Sequence, residues 1–96
     1  MIAKMLADFT NQGMEVNFNE YFNAYFTLHS GVDISIGFGP SHYGNNSRVS
    51  DLSVPQALLR AKFVEVAIIR DGRIIGKVKG WQSARQIRAL VRRLSA

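Results

Sequence analysis

The sequence predicts an α+β fold, in which three or four helices cover a small antiparallel sheet built on a 63–80 hairpin plus a 32–38 strand. Three observations predict this class. Two β-rich runs flank the triplet Arg70-Asp71-Gly72, apolar residues alternate over 32–38, and apolar stripes with helical spacing occur near both ends of the chain. All 96 residues are expected to form one compact domain, 1–96.

The first element is predicted to be an amphipathic helix over residues 2–12. Its apolar residues recur at the helical spacing and are Ile2, Met5, Leu6 and Phe9. Gly13 follows as a residue that commonly ends a helix.

The next segment, 18–29, has two interpretations. The preferred one is a helix, begun by a capping box of Asn17 and Glu20 and ended by Gly31. Its stripe is Phe18, Tyr21, Phe22, Tyr25, Phe26 and His29. The alternative is a β-hairpin, because aromatic residues favour strands. With a loop at 30–32, the hairpin would pair Leu28 with Ile34, Phe26 with Ile36 and Ala24 with Phe38.

The middle of the chain is predicted as strand, loop and short helix. Alternating apolar residues predict the 32–38 strand. Residues 39–51 concentrate turn formers and are the best candidate for a mobile loop. Ser53 and Gln56 have the spacing of a capping box, and Pro55 is tolerated in the first turn, so residues 54–62 are expected to be helical.

The 63–80 segment is predicted as a hairpin with a three-residue loop, because a two-residue turn would mix apolar and charged residues on both faces. The expected pairs are Val64 with Val78, Val66 with Gly76, Ile68 with Ile74, and Glu65 with Lys77. The outer face keeps an apolar set that the aromatic segment or a second subunit could cover. This set is Phe63, Ala67, Ile69, Ile75 and Trp81.

The chain is predicted to end in a helix. Ser83 and Gln86 have the spacing of a capping box. The apolar stripe that follows is Ile87, Leu90, Val91 and Leu94. The run 66–80 with this helix resembles the closing hairpin and helix of thioredoxin-like proteins, over about a third of the chain. The two redox cysteines and the proline before the hairpin of that family are absent, so the resemblance implies no redox activity.

Composition excludes several classes of function. Hydrophobic residues make up 47% and charged residues 20%, as in ordinary globular proteins. The chain has no cysteine, which removes disulfides, thiol nucleophiles and thiolate zinc sites. No apolar run is long enough to span a bilayer, and the first residues do not read as a secretory signal, so a cytoplasmic setting without membrane contact is expected.

Catalysis is not expected. The only histidines, His29 and His42, lie in no metal-binding motif. The glycines at 37, 39 and 44 match neither the phosphate-binding loop nor the dinucleotide fingerprint. The sequence therefore predicts no catalytic residue, no metal site and no cofactor.

Charge is divided unevenly along the chain. Residues 1–47 hold one base and four acids, a net charge of −3, whereas residues 48–96 hold eleven bases and three acids, a net charge of +8. Such polarity is typical of a basic surface that faces a polyanion, although it is also seen in solubilising surfaces.

The basic candidate site lies on the last helix and the hairpin. Arg85, Arg88 and Arg92 recur at i, i+3 and i+7 opposite the apolar stripe. The full set expected to bind nucleic acid or an acidic protein surface is Arg85, Arg88, Arg92, Arg93, Lys77, Lys79, Arg73 and Trp81. Guanidinium groups bind phosphates and carboxylates, and an aromatic ring can stack on a base. The alternative is a solvated helix face that favourably meets the helix dipole.

A second candidate site is aromatic. Phe18, Tyr21, Phe22 and Tyr25 belong to a run with five aromatic rings in nine residues, which is typical of protein interfaces. The alternative is an element packed on its own sheet.

Two functional hypotheses follow. The first is a non-enzymatic binding protein that presents the basic site to nucleic acid or an acidic protein. The second is a protein-interaction module that uses the 18–26 segment, such as a small phage-type inhibitor of a host defence complex or a subunit of a larger assembly, including a homo-oligomer.

Overall fold

The computed structural model describes residues 1–95. Its elements in chain order are α1 (Ile2–Asn11), β1 (Asn17–Phe18), β2 (Asn23–Thr27), β3 (Asp33–Gly37), α2 (Val54–Arg60), β4 (Phe63–Arg70), β5 (Arg73–Ser83) and α3 (Ala84–Ser95). The described residues therefore form a mixed α+β domain with five strands and three helices, which confirms the predicted class.

All five strands belong to one antiparallel sheet with the order β1-β2-β3-β4-β5. Each strand pairs with its neighbour in the chain. The predicted 32–38 strand is present as β3, and the predicted 63–80 hairpin as β4 and β5. β3 lies at the centre of the sheet, and its Ile34 and Ile36 are completely buried.

The hydrophobic core lies between one face of the sheet and the helices. Along the strands, the core residues alternate with more exposed ones and are Ala24, Phe26, Ile34, Ile36, Val64 and Val66. The helices contribute Ile2, Met5, Leu6 and Phe9 from α1 and Ile87, Leu90 and Val91 from α3, in agreement with the predicted stripes. Each such side chain contributes roughly 1.5–3 kcal/mol when it is fully buried.

The helices themselves are short. α1 ends at Asn11, one residue before the predicted end, and α2 ends at Arg60, two residues before. Within residues 1–95, no helix has the length and apolar character required to cross a membrane.

The segment 18–29 consists of strands and turns, so the preferred helical interpretation is wrong. Ala24 and Phe26 are buried while Tyr25 and Thr27 are exposed, a period of two that only a strand produces. The predicted helical stripe combined residues of β1 and β2 with Tyr21 and Phe22 of the connection between them, where Phe22 has a φ of 62°. Side-chain packing on β3 therefore outweighed the capping signals in this segment.

The alternative hairpin interpretation is correct in kind but displaced in register. Phe26 pairs with Ile34, and Ala24 pairs with Ile36. The loop is 29–31, closed by the Leu28 N–H, which donates to the Val32 carbonyl at 2.8 Å. Gly31 has a φ of 84°, a conformation that favours glycine.

The β4–β5 hairpin has a two-residue turn, so the predicted three-residue loop and its pairs are wrong. Asp71 and Gly72 have φ of 53° and 76°, as a type I′ turn requires at both central positions. The prediction assumed regular alternation along β5. In the structure the register shifts twice, on either side of Val66, which pairs with Lys79. These β-bulges, near Gly76 and Trp81, allow the short turn and the buried face to coexist.

The loop between β3 and α2, which includes the predicted mobile segment 39–51, is attached to the fold at its middle. Asn46 is buried, and its Nδ2 donates to the carbonyls of Phe38 at 2.7 Å and Ala57 at 2.8 Å. The Oδ1 of Asn45 accepts the backbone N–H groups of residues 62 and 63. Two adjacent asparagines thus join the loop to the end of β3, to α2 and to β4.

Candidate functional site

The basic helix α3 forms as its sequence predicts. The Ser83 Oγ accepts the Gln86 backbone N–H at 3.2 Å, and the Gln86 Oε1 accepts the Ser83 N–H at 2.8 Å. This reciprocal capping box satisfies donors that the first helical turn leaves free. Because the apolar stripe is buried on the sheet, the other side of α3 faces solvent.

Arg88 differs in its contacts from Arg85, Arg92 and Arg93, the other arginines of the predicted basic site. Its guanidinium donates to the Asp8 carboxylate of α1 at 2.8 Å and lies 5.8 Å from the centre of the Phe9 ring. Lys4 lies on the other side of Asp8, at 3.4 Å. Arg88 therefore joins α3 to α1, and its charge is compensated within the domain.

This pairing lowers the pKa of Asp8. The main cause is the hydrogen bond from Arg88, and Lys4 acts in the same direction, while desolvation opposes both. The carboxyl group therefore has a lower pKa in the folded state than in the unfolded state. Its contribution to the free energy of unfolding is fully present above the unfolded-state pKa. That contribution is lost as the pH falls through the folded-state pKa.

We expect Asp8→Asn to lower the urea midpoint at pH 7 because it removes the carboxylate that Arg88 and Lys4 share. The difference from the unchanged protein should shrink as the pH falls below the ordinary value of 3.8. Urea unfolding between pH 2.5 and pH 7 measures this. Glu20→Gln, at an exposed acid, is the control and should lack the same trend. A difference independent of pH would contradict the assignment.

The other three arginines of α3, Arg85, Arg92 and Arg93, are exposed. Within residues 1–95, the only ion pairs are the two made by Asp8, so these three guanidinium groups are not neutralised by an acid of the described chain. Three charges are therefore available on the solvent side of the helix.

The structure brings Arg93 beside the hairpin. A groove of about 250 Å³ runs between α3 and β5, with Arg93 on the helix side and Lys79 on the strand side. The rest of its lining is Val66, Gln82, Gln86, Ala89 and Leu90, with no acidic residue. We refer to Arg85, Arg92, Arg93, Lys77 and Lys79 as the α3–β5 surface.

β5 presents its charges because it lies at the edge of the sheet. Every residue from Arg73 to Lys79 is exposed. Lys77 and Lys79 lie next to the bulge, whereas Arg73 pairs with Arg70 at the hairpin turn. Arg73 and Lys79 lie at opposite ends of this exposed run, with the bulge near Gly76 between them. The predicted basic residues thus form two groups, one at the groove and one at the hairpin turn.

Trp81 is a surface residue, 55% exposed. Its ring packs against Phe63, with 6.3 Å between the ring centres. Its backbone has a φ of 54°, and its N–H donates to the Tyr43 carbonyl at 2.8 Å. Trp81 therefore connects the end of β5 to the loop 39–51, a contact that sequence analysis did not anticipate.

Two residues that sequence analysis did not select lie beside Trp81. Tyr43 and Arg48 line a cleft of about 650 Å³ together with Trp81 and His42. The signal available from sequence was only the mixture of aromatic, basic and polar residues in a loop. Nothing in the spacing shows that this loop packs against the end of β5.

His42 serves the packing of this loop. Its ring rests on Gly37 of β3, where an added Cβ would lie 2.2 Å from the ring Cδ2. Its Nδ1 accepts the Gly39 N–H at 3.2 Å, and its Nε2 lies 3.4 Å from the Asn23 Nδ2. Among residues 1–95, no group of three or more His, Cys, Asp or Glu side chains is arranged to hold a metal ion.

The aromatic candidate site is divided by the fold. Phe18 and Phe22 each meet the buried Phe38 ring edge-on, at 6.3 Å between centres. Phe22 is half-buried and Phe18 is 46% exposed, whereas Tyr21 and Tyr25 are 69% and 43% exposed. The segment lies in the sheet and its turns, so it does not cover the outer hairpin face, where Phe63 and Trp81 remain exposed.

Comparisons with models of known protein families, with curated proteins and with solved structures found no match to this chain.

Proposed function

We propose that this chain is a non-enzymatic binding protein that presents the α3–β5 surface to nucleic acid. The observation that carries the proposal is the groove that Arg93 and Lys79 line together, with no acidic residue in the lining. Two exposed cations that line one groove suit a strand of phosphates, since the Arg93 guanidinium can bind a phosphate through two hydrogen bonds and the Lys79 ammonium adds a second positive charge.

The charge distribution supports the same partner. The segment 48–96, which contains both elements of the surface, has a net charge of +8. A positive potential over one region of the surface increases the rate of association with a polyanion. Binding of its phosphates also releases counterions, which increases the affinity. The cytoplasmic setting expected from the sequence would give access to such a partner.

Nucleic acid is favoured over an acidic protein surface by Trp81. This exposed ring lies two residues beyond Lys79 in β5 and lines a cleft with Arg48. An exposed aromatic ring beside cations is the combination that binds both bases and phosphates, whereas an acidic protein needs only the charges. Binding of an acidic protein with no affinity for nucleic acid is the competing outcome of the experiment below.

The expected result is salt-sensitive binding that depends on the α3–β5 surface. Replacing Arg85 and Arg93 by glutamine should reduce the slope of log K against log salt by about 1.4 for a single-stranded DNA oligonucleotide, because each phosphate contact contributes about 0.7. Fluorescence anisotropy between 50 and 300 mM KCl measures the slope.

The matched control replaces Arg60 and Lys62 by glutamine. Both are exposed cations outside the α3–β5 surface, so the change in net charge is equal. The control should leave the slope nearly unchanged. Equal slopes for the two double variants, or binding that salt does not weaken, would contradict the proposal.

A second candidate function, a protein-interaction module, is favoured by the exposure of Tyr21 and Tyr25. Both side chains are exposed and belong to the 18–26 segment, which an inhibitor or an assembly subunit would use. Alanine at both positions distinguishes the candidates, since nucleic-acid binding through α3 and β5 would not change while binding of a protein partner or of a second copy would be lost.

A further inference from the structure

The cleft beside Trp81 has the composition of a binding site for a planar, polar group. It lies between the loop 39–51 and the end of β5 and measures about 650 Å³. Tyr43 and Trp81 line it with the cation Arg48, and Ser41 and Ser47 add hydroxyl groups. The lining contains no acidic residue, so the cleft suits a neutral or anionic ligand.

Both aromatic side chains are unusually accessible. Tyr43 is 67% exposed and Trp81 is 55% exposed. Rings of this size normally bury most of their surface, and an aromatic ring that stays accessible beside a cation can stack on a nucleobase. Stacking of one base contributes about 1–3 kcal/mol by alanine substitution.

The backbone holds these two residues together at some cost. The φ of 54° at Trp81 is a left-handed conformation that a residue with a side chain adopts only at a penalty. Two contacts maintain it: the Trp81 N–H donates to the Tyr43 carbonyl at 2.8 Å, and Gly80 leaves room for Tyr43, whose Cβ would lie 2.6 Å from a Cβ at position 80. Strained residues of this kind cluster at ligand sites.

Neighbouring residues of β5 line the cleft and the groove of the α3–β5 surface. Gln82 lines the groove that holds Arg93 and Lys79, and Trp81, its neighbour in β5, lines the cleft. In a duplex the faces of the bases are stacked on their neighbours and their edges are paired. Only an unpaired base can therefore enter the cleft.

From these observations we infer that the cleft binds an unpaired base, so that the chain prefers single-stranded nucleic acid to duplex. This inference rests on the proposed function, because the α3–β5 surface supplies the phosphate contacts. Tyr43 and Trp81 provide the stacking surfaces, and Arg48 binds the phosphate or the edge of the base.

The test uses Trp81, which is the only tryptophan of the chain. Its fluorescence is followed while the protein is titrated with a thymidine oligonucleotide, with a duplex of the same length and with heparin, a polyanion without bases. Stacking should quench Trp81 with the single strand, whereas duplex and heparin should bind with little quenching. Tyr43→Ala should weaken single-strand binding about 10-fold, the equivalent of one lost stacking contact, and leave heparin binding unchanged.

Two further variants keep the interpretation clear. Trp81→Gly removes the ring while allowing the left-handed backbone, and anisotropy of a labelled oligonucleotide should show the same loss as for Tyr43→Ala. Tyr21→Ala, at another exposed tyrosine outside the cleft, should have no effect. Salt-sensitive binding of the single strand without quenching, and unaffected by Tyr43→Ala, would overturn the cleft assignment and leave the proposed function standing. Failure of all three polyanions to bind would overturn both.

Discussion

Replacing Asn46 by aspartate is expected to destabilise the fold by about 3 kcal/mol or more at neutral pH. The Nδ2 of Asn46 donates to two backbone carbonyls, those of Phe38 and Ala57, from a position that is only 2% exposed. A carboxylate at this place would face two acceptors and could satisfy neither. It would also bring an unpaired charge into the core.

The pH dependence of this variant has a definite sign. Burial and the facing carbonyls raise the pKa of a carboxyl group, so the folded state would hold its proton more tightly than the unfolded state does. The stability of the variant relative to the unchanged protein should therefore fall as the pH rises above about 4. Urea unfolding between pH 4 and pH 8 measures this trend.

The neighbouring asparagine provides the control. The Oδ1 of Asn45 accepts two backbone N–H groups, at 2.8 and 2.9 Å, and its Nδ2 donates once, to the Arg60 carbonyl. Asn45→Asp keeps the two accepted hydrogen bonds and loses only the donated one. We therefore expect a small decrease in the free energy of unfolding. Similar losses for the two aspartate variants would show that Asn46 does not anchor the loop.

Gly44→Ala is expected to cost about 3 kcal/mol, the upper part of the range for overpacked positions. A Cβ at Gly44 would lie 2.2 Å from the Phe63 carbonyl oxygen and 3.1 Å from the Val64 Cα. Both atoms belong to the backbone of β4 and cannot rotate away. The loop must therefore move, which also strains the hydrogen bond from the Asn45 N–H to the Phe63 carbonyl.

A glycine in open space shows what a substitution costs without such a clash. An added Cβ at Gly72 would meet nothing within 4 Å, although its φ of 76° is unfavourable for alanine. Gly72→Ala should cost about 1 kcal/mol from the backbone alone. Urea unfolding of both variants measures the difference. Equal decreases in the free energy of unfolding for Gly44→Ala and Gly72→Ala would mean that the loop moves without loss of stability, contrary to the close packing in the structure.

The parts of the fold that were predicted correctly depend on local, redundant signals. α3 has a capping box, a long apolar stripe and charges on the opposite side, and each signal alone indicates a helix. The segment 18–29 has conflicting signals, because aromatic residues satisfy both the helical and the strand period. There the partner strand β3 decides the outcome through the burial of Ala24 and Phe26, and no local pattern contains that information.

The candidate site was predictable only in part, for a similar reason. The positions of Arg85, Arg92 and Arg93 follow from the helix alone. The pairing of Arg88 joins residues 80 positions apart, and the contact between Tyr43 and Trp81 joins a loop to a strand. Long-range contacts of this kind depend on how the elements pack. The bulges in β5 likewise allow a turn that regular alternation excludes.

The bulged, lysine-bearing β5 has a consequence for solution behaviour. An open meander leaves two outer strands, and an outer strand with free backbone groups is a template on which further molecules can add in register. β1 has only two residues, and β5 is interrupted near Gly76 and carries the exposed Lys77 and Lys79. Like charges repel an identical incoming strand, so the same cations proposed to attract nucleic acid also oppose growth of the sheet into fibrils.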